Sequence, residues 1–148
     1  EHSLAGGDPK EKTADRSYRG KSTKTYNRDD MVLVQRMRKE MGAKPVITII
    51  ETERPFVLSE IEPYSDAILL TFGVSNRAVM TLISGQTEPY ALLPCQMPKD
   101  MATVEHNMED VPGDMECYTD AAGHVYDFAY GLNWSGIIDD ARTRRFKR

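Results

Sequence analysis

The chain has 148 residues, 40 % hydrophobic and 28 % charged, with a formal net charge of −4 at pH 7. That length suits one domain with a real core rather than two, and the acidic balance argues against nucleic acid as the main partner. No apolar run approaches the roughly 20 residues that a membrane-spanning helix needs, so the composition is that of a soluble globular protein with no membrane partner.

In chain order, residues 1–28 come first as a polar segment. "EHSLAGGDPKEKTADRSYRGKSTKTYNR" has one large aliphatic residue, Leu4, and holds seven Lys/Arg against four Asp/Glu. It reads as an extended loop that another surface must order: a flexible tail, or a functional loop separated from its support. It carries no secretory-signal pattern. From Asn27 the pattern turns regular. Asn27 can cap a helix with Asp29 and Asp30 in its first turn; Val34, Met37 and Met41 share one stripe with Leu33 alongside, and Gly42 stops it. "PVITII" (45–50) and "AILLTF" (67–72) are expected to be strands buried on both faces of a parallel sheet, joined through 53–66 with one turn of helix. Ser75 caps a second helix whose apolar face is Ala78, Val79, Leu82 and Ile83, with Gly85 as its stop.

Beyond it, Pro89, Pro94 and Pro98 hold extended backbone. Residues 99–122, with one Lys against seven Asp/Glu, read as a long acidic loop, and "HVYDFAYGL" (124–132) as an edge strand with Tyr126, Phe128 and Tyr130 on one face. Those aromatics and Trp134 offer either an anchor for a terminal strand or a sugar-stacking platform, and the anchor is the preferred reading. The last seven residues hold five bases, a solvated run. Helix, strand, crossover, strand and helix give an α/β class, a layered α/β/α sandwich with a mostly parallel sheet. Two central strands and one edge strand are few against the usual four to six or so, so the sheet is expected to be incomplete in this chain.

No self-contained active site emerges from the residues. "LAGGDPKEK" lacks the spacing of a phosphate loop, and "ISGQT" lacks the strained turn of a nucleophile elbow. His2, His106 and His124 are scattered, as expected of surface histidines. Cys95 and Cys117 lack metal spacing and could form one disulfide or remain two thiols. Neither a metal nor a cofactor is expected.

Three segments together resemble the C-terminal α/β sandwich domain of glycoside hydrolase family 3. "KPVITIIETERPFVLSEIEPYSDAILLTFG" is similar to that family's strand, "GRP-V" turn and "ADAIL" strand. "NRAVMTLISGQTEPYALLPCQMP" resembles its helix followed by "GD-NPSGRLPVTFP", and "YDFAYGLNWSG" resembles its closing "FGYGLSY" strand. The likeness covers about residues 29–136 in the family's order. Glu53 stands where the turn usually has Gly, Tyr90-Ala91 where Ser-Gly is common, and Phe72-Gly73-Val74 in place of "WYPG".

The resemblance implies retaining hydrolysis of terminal β-linked sugars, β-glucosidase-like, by two carboxyls about 5–5.5 Å apart. The family's nucleophile sits on a preceding (β/α)8 barrel absent from this chain, so the isolated chain is expected to be inactive. Many members place the acid/base glutamate on a sandwich-domain loop reading E-x-x-G-D. "EHSLAGGD" is two residues longer than that pattern, and Glu1 is the candidate general acid/base. Residues 15–21 could contact substrate or barrel. The resulting division is 1–28 as an active-site or interdomain loop, 29–140 as the sandwich domain and 141–148 as a basic tail. The helix and turn around Gly85 are then scaffold.

The implied partners are a carbohydrate substrate and the barrel, with a homodimer favoured by an exposed sheet edge, and the implied location is periplasmic or secreted. An alternative is a non-catalytic α/β interaction or sugar-binding module completed by oligomerisation. A nucleotide-binding domain is disfavoured by the missing phosphate loop.

Overall fold

A computed structural model describes residues 28–107, 111 and 113–146. Helix α1 spans Arg28–Met41, with Asp29 and Asp30 in its first turn and Arg38 and Lys39 in its last, each sign matched to the helix dipole. Gly42 closes it with φ +57°, its N–H reaching the Arg38 carbonyl at 3.2 Å. Val34, Met37 and Met41 are half-buried, as their spacing predicts, while Leu33 lies on the exposed side.

Strand β1 (Ile47–Glu51) pairs in parallel with β2 (Ala67–Thr71), in the register Ile47↔Ala67 through Glu51↔Thr71. Asp66 pins this layer at its start. Its carboxylate accepts the Val46 N–H at 2.7 Å and pairs with Arg38 of α1. The Val46 N–H and then the Arg38 guanidinium hold that carboxyl below its ordinary pKa. The crossover makes the single expected turn, a 3-10 turn at Glu62–Tyr64, and sinks Leu58 to 0 % exposure.

Burial on both faces of the sheet is not realised. Ile47 and Ile49 are 44 % and 47 % exposed, while Thr48 and Ile50 are half-buried. The pleat sends alternate side chains to opposite faces. Among the described residues the β1–β2 sheet has two strands, so Ile47 and Ile49 stay uncovered, although on the same face Leu69 is half-buried and Thr71 is buried.

Helix α2 (Asn76–Ile83) starts at Ser75, whose hydroxyl accepts the Ala78 N–H, and it buries Val79. After Gly85, at φ +71°, the chain becomes irregular yet closely hydrogen-bonded. The extended stretch through Met97 lies between two others. Leu93 N–H reaches the Tyr130 carbonyl at 2.7 Å, Met97 N–H the Tyr126 carbonyl at 3.0 Å, and Tyr118 N–H the Met97 carbonyl at 2.9 Å. Met97 and Pro98 are fully buried there.

The acidic stretch is only partly loop. It holds α3 (Met101–His106), capped by Asp100, and one arm of a turn joined by the bridge Thr119↔Val125.

The edge strand expected over 124–132 does not form as a continuous strand. Ala129 adopts φ +67°, in the left-handed region that extended chain cannot use, and its N–H turns to the Leu93 carbonyl at 2.9 Å. The aromatic face therefore splits. Tyr126 and Tyr130 stay together with ring centroids 5.0 Å apart, while Phe128 meets Phe146 edge-on at 4.9 Å. At Gly131 a Cβ would lie 2.4 Å from the Ala91 carbonyl oxygen, so glycine is required by close approach.

A short hairpin follows, β3 (Leu132–Asn133) against β4 (Gly136–Ile137). The basic C-terminal run opens as α4 (Ala141–Arg144). Asp140 and Thr143 cap each other reciprocally, Thr143 is buried, and Arg142 Nη1 donates to the Tyr90 carbonyl at 2.9 Å.

Candidate functional site

Because β1 and β2 are parallel, their carboxyl ends open at the same edge. A cleft of about 830 Å³ lies there, lined by Glu51, Thr52, Glu53, Arg54, Phe72 and Gly73. Sequence shapes both walls. After β1, Thr52 N–H extends the ladder to the Thr71 carbonyl at 3.0 Å. Its hydroxyl donates to the Arg54 carbonyl at 2.7 Å and accepts the Arg54 N–H at 3.3 Å, a hydroxyl-stabilised turn before Pro55.

After β2, Gly73 turns the chain at φ +75° and leaves Phe72 43 % exposed. Glu51, Glu53 and Arg54 are exposed, and their side chains form no ion pair with any described residue. The cleft thus offers two carboxylates, one guanidinium and an aromatic ring. Glu53 and Phe72-Gly73, two departures from the family pattern that lie far apart in sequence, meet here.

A second cluster sits beside the 3-10 turn. Asp120 accepts the N–H groups of Ala122 and His124, each at 2.9 Å, and its other oxygen meets His124 Nδ1 at 2.8 Å and the Tyr126 hydroxyl at 3.5 Å. Burial pushes the Asp120 carboxyl up, but the backbone and ring of His124 outweigh it and the net displacement is downward. Tyr118 donates to Glu62 at 2.8 Å. Burial, reinforced by Glu62, pushes its hydroxyl up to about 12. Tyr126 and Tyr130 are likewise raised, chiefly by burial, and the Tyr130 hydroxyl is buried without a hydrogen-bond partner in the structure. The phenols therefore stay neutral and the carboxylate is committed to its turn, an arrangement that anchors the chain rather than moving protons. Tyr126 and Tyr130 are half-buried against each other, without the terminal strand they were expected to anchor, whereas Trp134 is 64 % exposed. His124, expected at the surface, is half-buried in this cluster, while His106 is exposed and bonds the Ala102 carbonyl.

The cysteines are two separate, half-buried thiols. Gln96 donates to Cys117 Sγ at 3.2 Å and to Asp127 at 2.7 Å. Burial, with Asp127 adding to it, pushes the Cys117 thiol up to about 11, which suits a packed thiol and not a nucleophile. Among the described residues no group of His, Cys, Asp and Glu could hold a metal ion, and no helix is long and apolar enough to cross a membrane.

The candidate acid/base Glu1, His2 and the proposed contact segment 15–21 lie outside the described residues. The strand-end cleft was not anticipated from sequence. Its signal was there, in charged residues directly after one β-branched run and Phe-Gly directly after the next.

The family model described as "Glycosyl hydrolase family 3 C-terminal domain" matches residues 5–134. Among curated relatives, "Probable beta-glucosidase C" of Aspergillus oryzae is 32 % identical over 100 residues, 68 % of this chain and 15 % of that protein. "Beta-glucosidase C" of Emericella nidulans is 29 % identical over 99 residues, 67 % of this chain and 15 % of that protein. "Periplasmic beta-glucosidase/beta-xylosidase" of Dickeya chrysanthemi is 26 % identical over 105 residues, 71 % of this chain and 15 % of that protein. The region matched in each relative is thus a small fraction of its length. No solved structure matches significantly.

Proposed function

The chain belongs to the glycosyl hydrolase family 3 C-terminal domain family, and from that premise we propose that it is the C-terminal part of a retaining β-glycosidase acting on terminal β-linked sugars. The observation that carries this reading is the family match across most of the chain, joined to relatives named as β-glucosidases. Retaining hydrolysis needs one carboxylate as nucleophile and one carboxyl held protonated as acid. The described aspartates with displaced pKa values, Asp66, Asp100, Asp120 and Asp140, are all held below the ordinary carboxylate range. Each accepts hydrogen bonds from backbone N–H groups. None of these four is tuned as an acid for neutral pH. The acid/base role of Glu1 in this proposal comes from the resemblance to the family's E-x-x-G-D loop, with the nucleophile on a barrel outside the chain and a periplasmic or secreted location.

Two assays test it. The purified chain should show no turnover of an aryl β-glucoside, and turnover would refute the division of labour. In a longer protein carrying this chain and a barrel, Glu1→Gln should slow substrates with poor leaving groups most; equal slowing of good and poor ones would remove Glu1 from the acid role. The open Ile47–Ile49 face favours a second reading, an α/β module that oligomerises. Sedimentation showing a monomer at high concentration would count against it.

A further inference from the structure

We propose that the cleft at the carboxyl ends of β1 and β2 binds a neutral sugar ring, with Phe72 against its C–H face and Glu51, Glu53 and Arg54 around its hydroxyls. The proposal rests on the glycosidase reading for its ligand class, but its geometry is independent of Glu1. The cleft lies at the carboxyl ends of the parallel pair, between the turns that follow the two strands. Its chemistry is mixed in the way a polyol requires. A hydroxyl both donates and accepts, so it can satisfy a carboxylate and a guanidinium at once. Those three charged side chains are not consumed by ion pairs with described residues, unlike the carboxylates of Asp66, Asp120 and Asp140.

Phe72 presents a ring that the fold leaves open, and a Cβ placed on Gly73 would meet nothing within 4 Å, so the wall beside the ring is clear. Two carboxylates against one guanidinium disfavour an anion. A ligand such as a uronate would meet repulsion that a neutral glycoside does not. An open cleft buries little of its ligand, so affinity on the order of 1–10 mM is expected.

The test is an amide NMR titration of the 148-residue chain with methyl β-D-glucopyranoside and, separately, with glucuronate. Saturable shifts at Thr52–Arg54 and Phe72–Val74, with glucuronate several-fold weaker, support the proposal. Phe72→Ala and Glu53→Gln, both at exposed positions, should each weaken the glucoside about fivefold. No saturable shift at those residues, or shifts that Phe72→Ala leaves unchanged, overturns it. If the isolated chain gives no dispersed spectrum, the same variants are read as KM in the longer protein. A rise of about threefold or more with kcat unchanged supports the site, and unchanged KM overturns it. Binding and hydrolysis fail separately. A chain that binds the glucoside within an inactive longer protein would sink the glycosidase reading alone, and an active protein with an indifferent cleft would sink only this one.

Discussion

The first half of the described chain and the second half close their backbones in different ways. Residues 28–83 hold most of the regular structure, two helices, a 3-10 turn and a parallel pair, yet leave Ile47, Ile49, Phe72 and Met80 exposed. Residues 84–146 hold few regular elements and also leave large apolar side chains such as Tyr90, Trp134 and Ile137 exposed, yet they bury Met97, Ala129, Ile138 and Thr143 and close their backbone through hydrogen bonds between loops. A strand pair has two faces and a free edge, and satisfying them takes neighbours. An irregular segment that folds back on itself supplies its own partners. Regular structure is therefore no guide to which region stands alone.

The contrast can be broken or sharpened by measurement. Met97→Ala, at a fully buried position of the self-closed half, should cost about 2–5 kcal/mol in urea unfolding. A cost below about 1 kcal/mol would show that half to be loosely packed. Cys117 should alkylate slowly. A thiol raised from 9.0 to about 11 has on the order of a hundredfold less thiolate at pH 8, and labelling as fast as a free peptide thiol would contradict the packing around Gln96 and Asp127.

Asp120→Ala strands donors from Ala122 and His124 and should cost about 1–3 kcal/mol. The sign of its pH dependence follows from a folded pKa below the ordinary carboxylate value. The contribution is fully present above the unfolded pKa and is lost as pH falls through the lower folded one. Stability of the parent chain should thus drop on acidification below about pH 4 more than that of Asp120→Ala, and parallel curves would discount the carboxylate. Least of all, Ile49→Thr on the open face should change stability within about 0.5 kcal/mol while improving solubility. A large loss would mean that face is covered.

What could be read from the residues follows the same divide. The first-turn acid Asp29, the cap Ser75 and the stops Gly42 and Gly85 act through nearby backbone, so α1 and α2 were legible, although the cap expected at Asn27 lies outside the described residues; β1 and β2 were legible from their β-branched and aliphatic runs. The incompleteness of the sheet was legible from its strand count, but which face would stay open was not, because that depends on partners in space. In the second half the signals are long-range. Nothing near Tyr126 announces the Asp120 turn, and alternation over 124–132 implied a strand that Ala129 interrupts. The strand-end cleft joins Glu53 to Phe72 across a crossover and depends on the two strands running the same way.

The left-handed residue at 129 carries a consequence for what this segment tolerates. Alanine there sacrifices roughly 1 kcal/mol of local comfort that glycine would recover, and a β-branched side chain would lose considerably more. Ala129 sits in the turn that Tyr130 N–H closes on the Asp127 carbonyl, and across that turn the rings part company, two phenols packing together and a phenylalanine meeting Phe146. Enlarging that small side chain should scramble both aromatic contacts together, so the two would be inherited, or lost, as a unit.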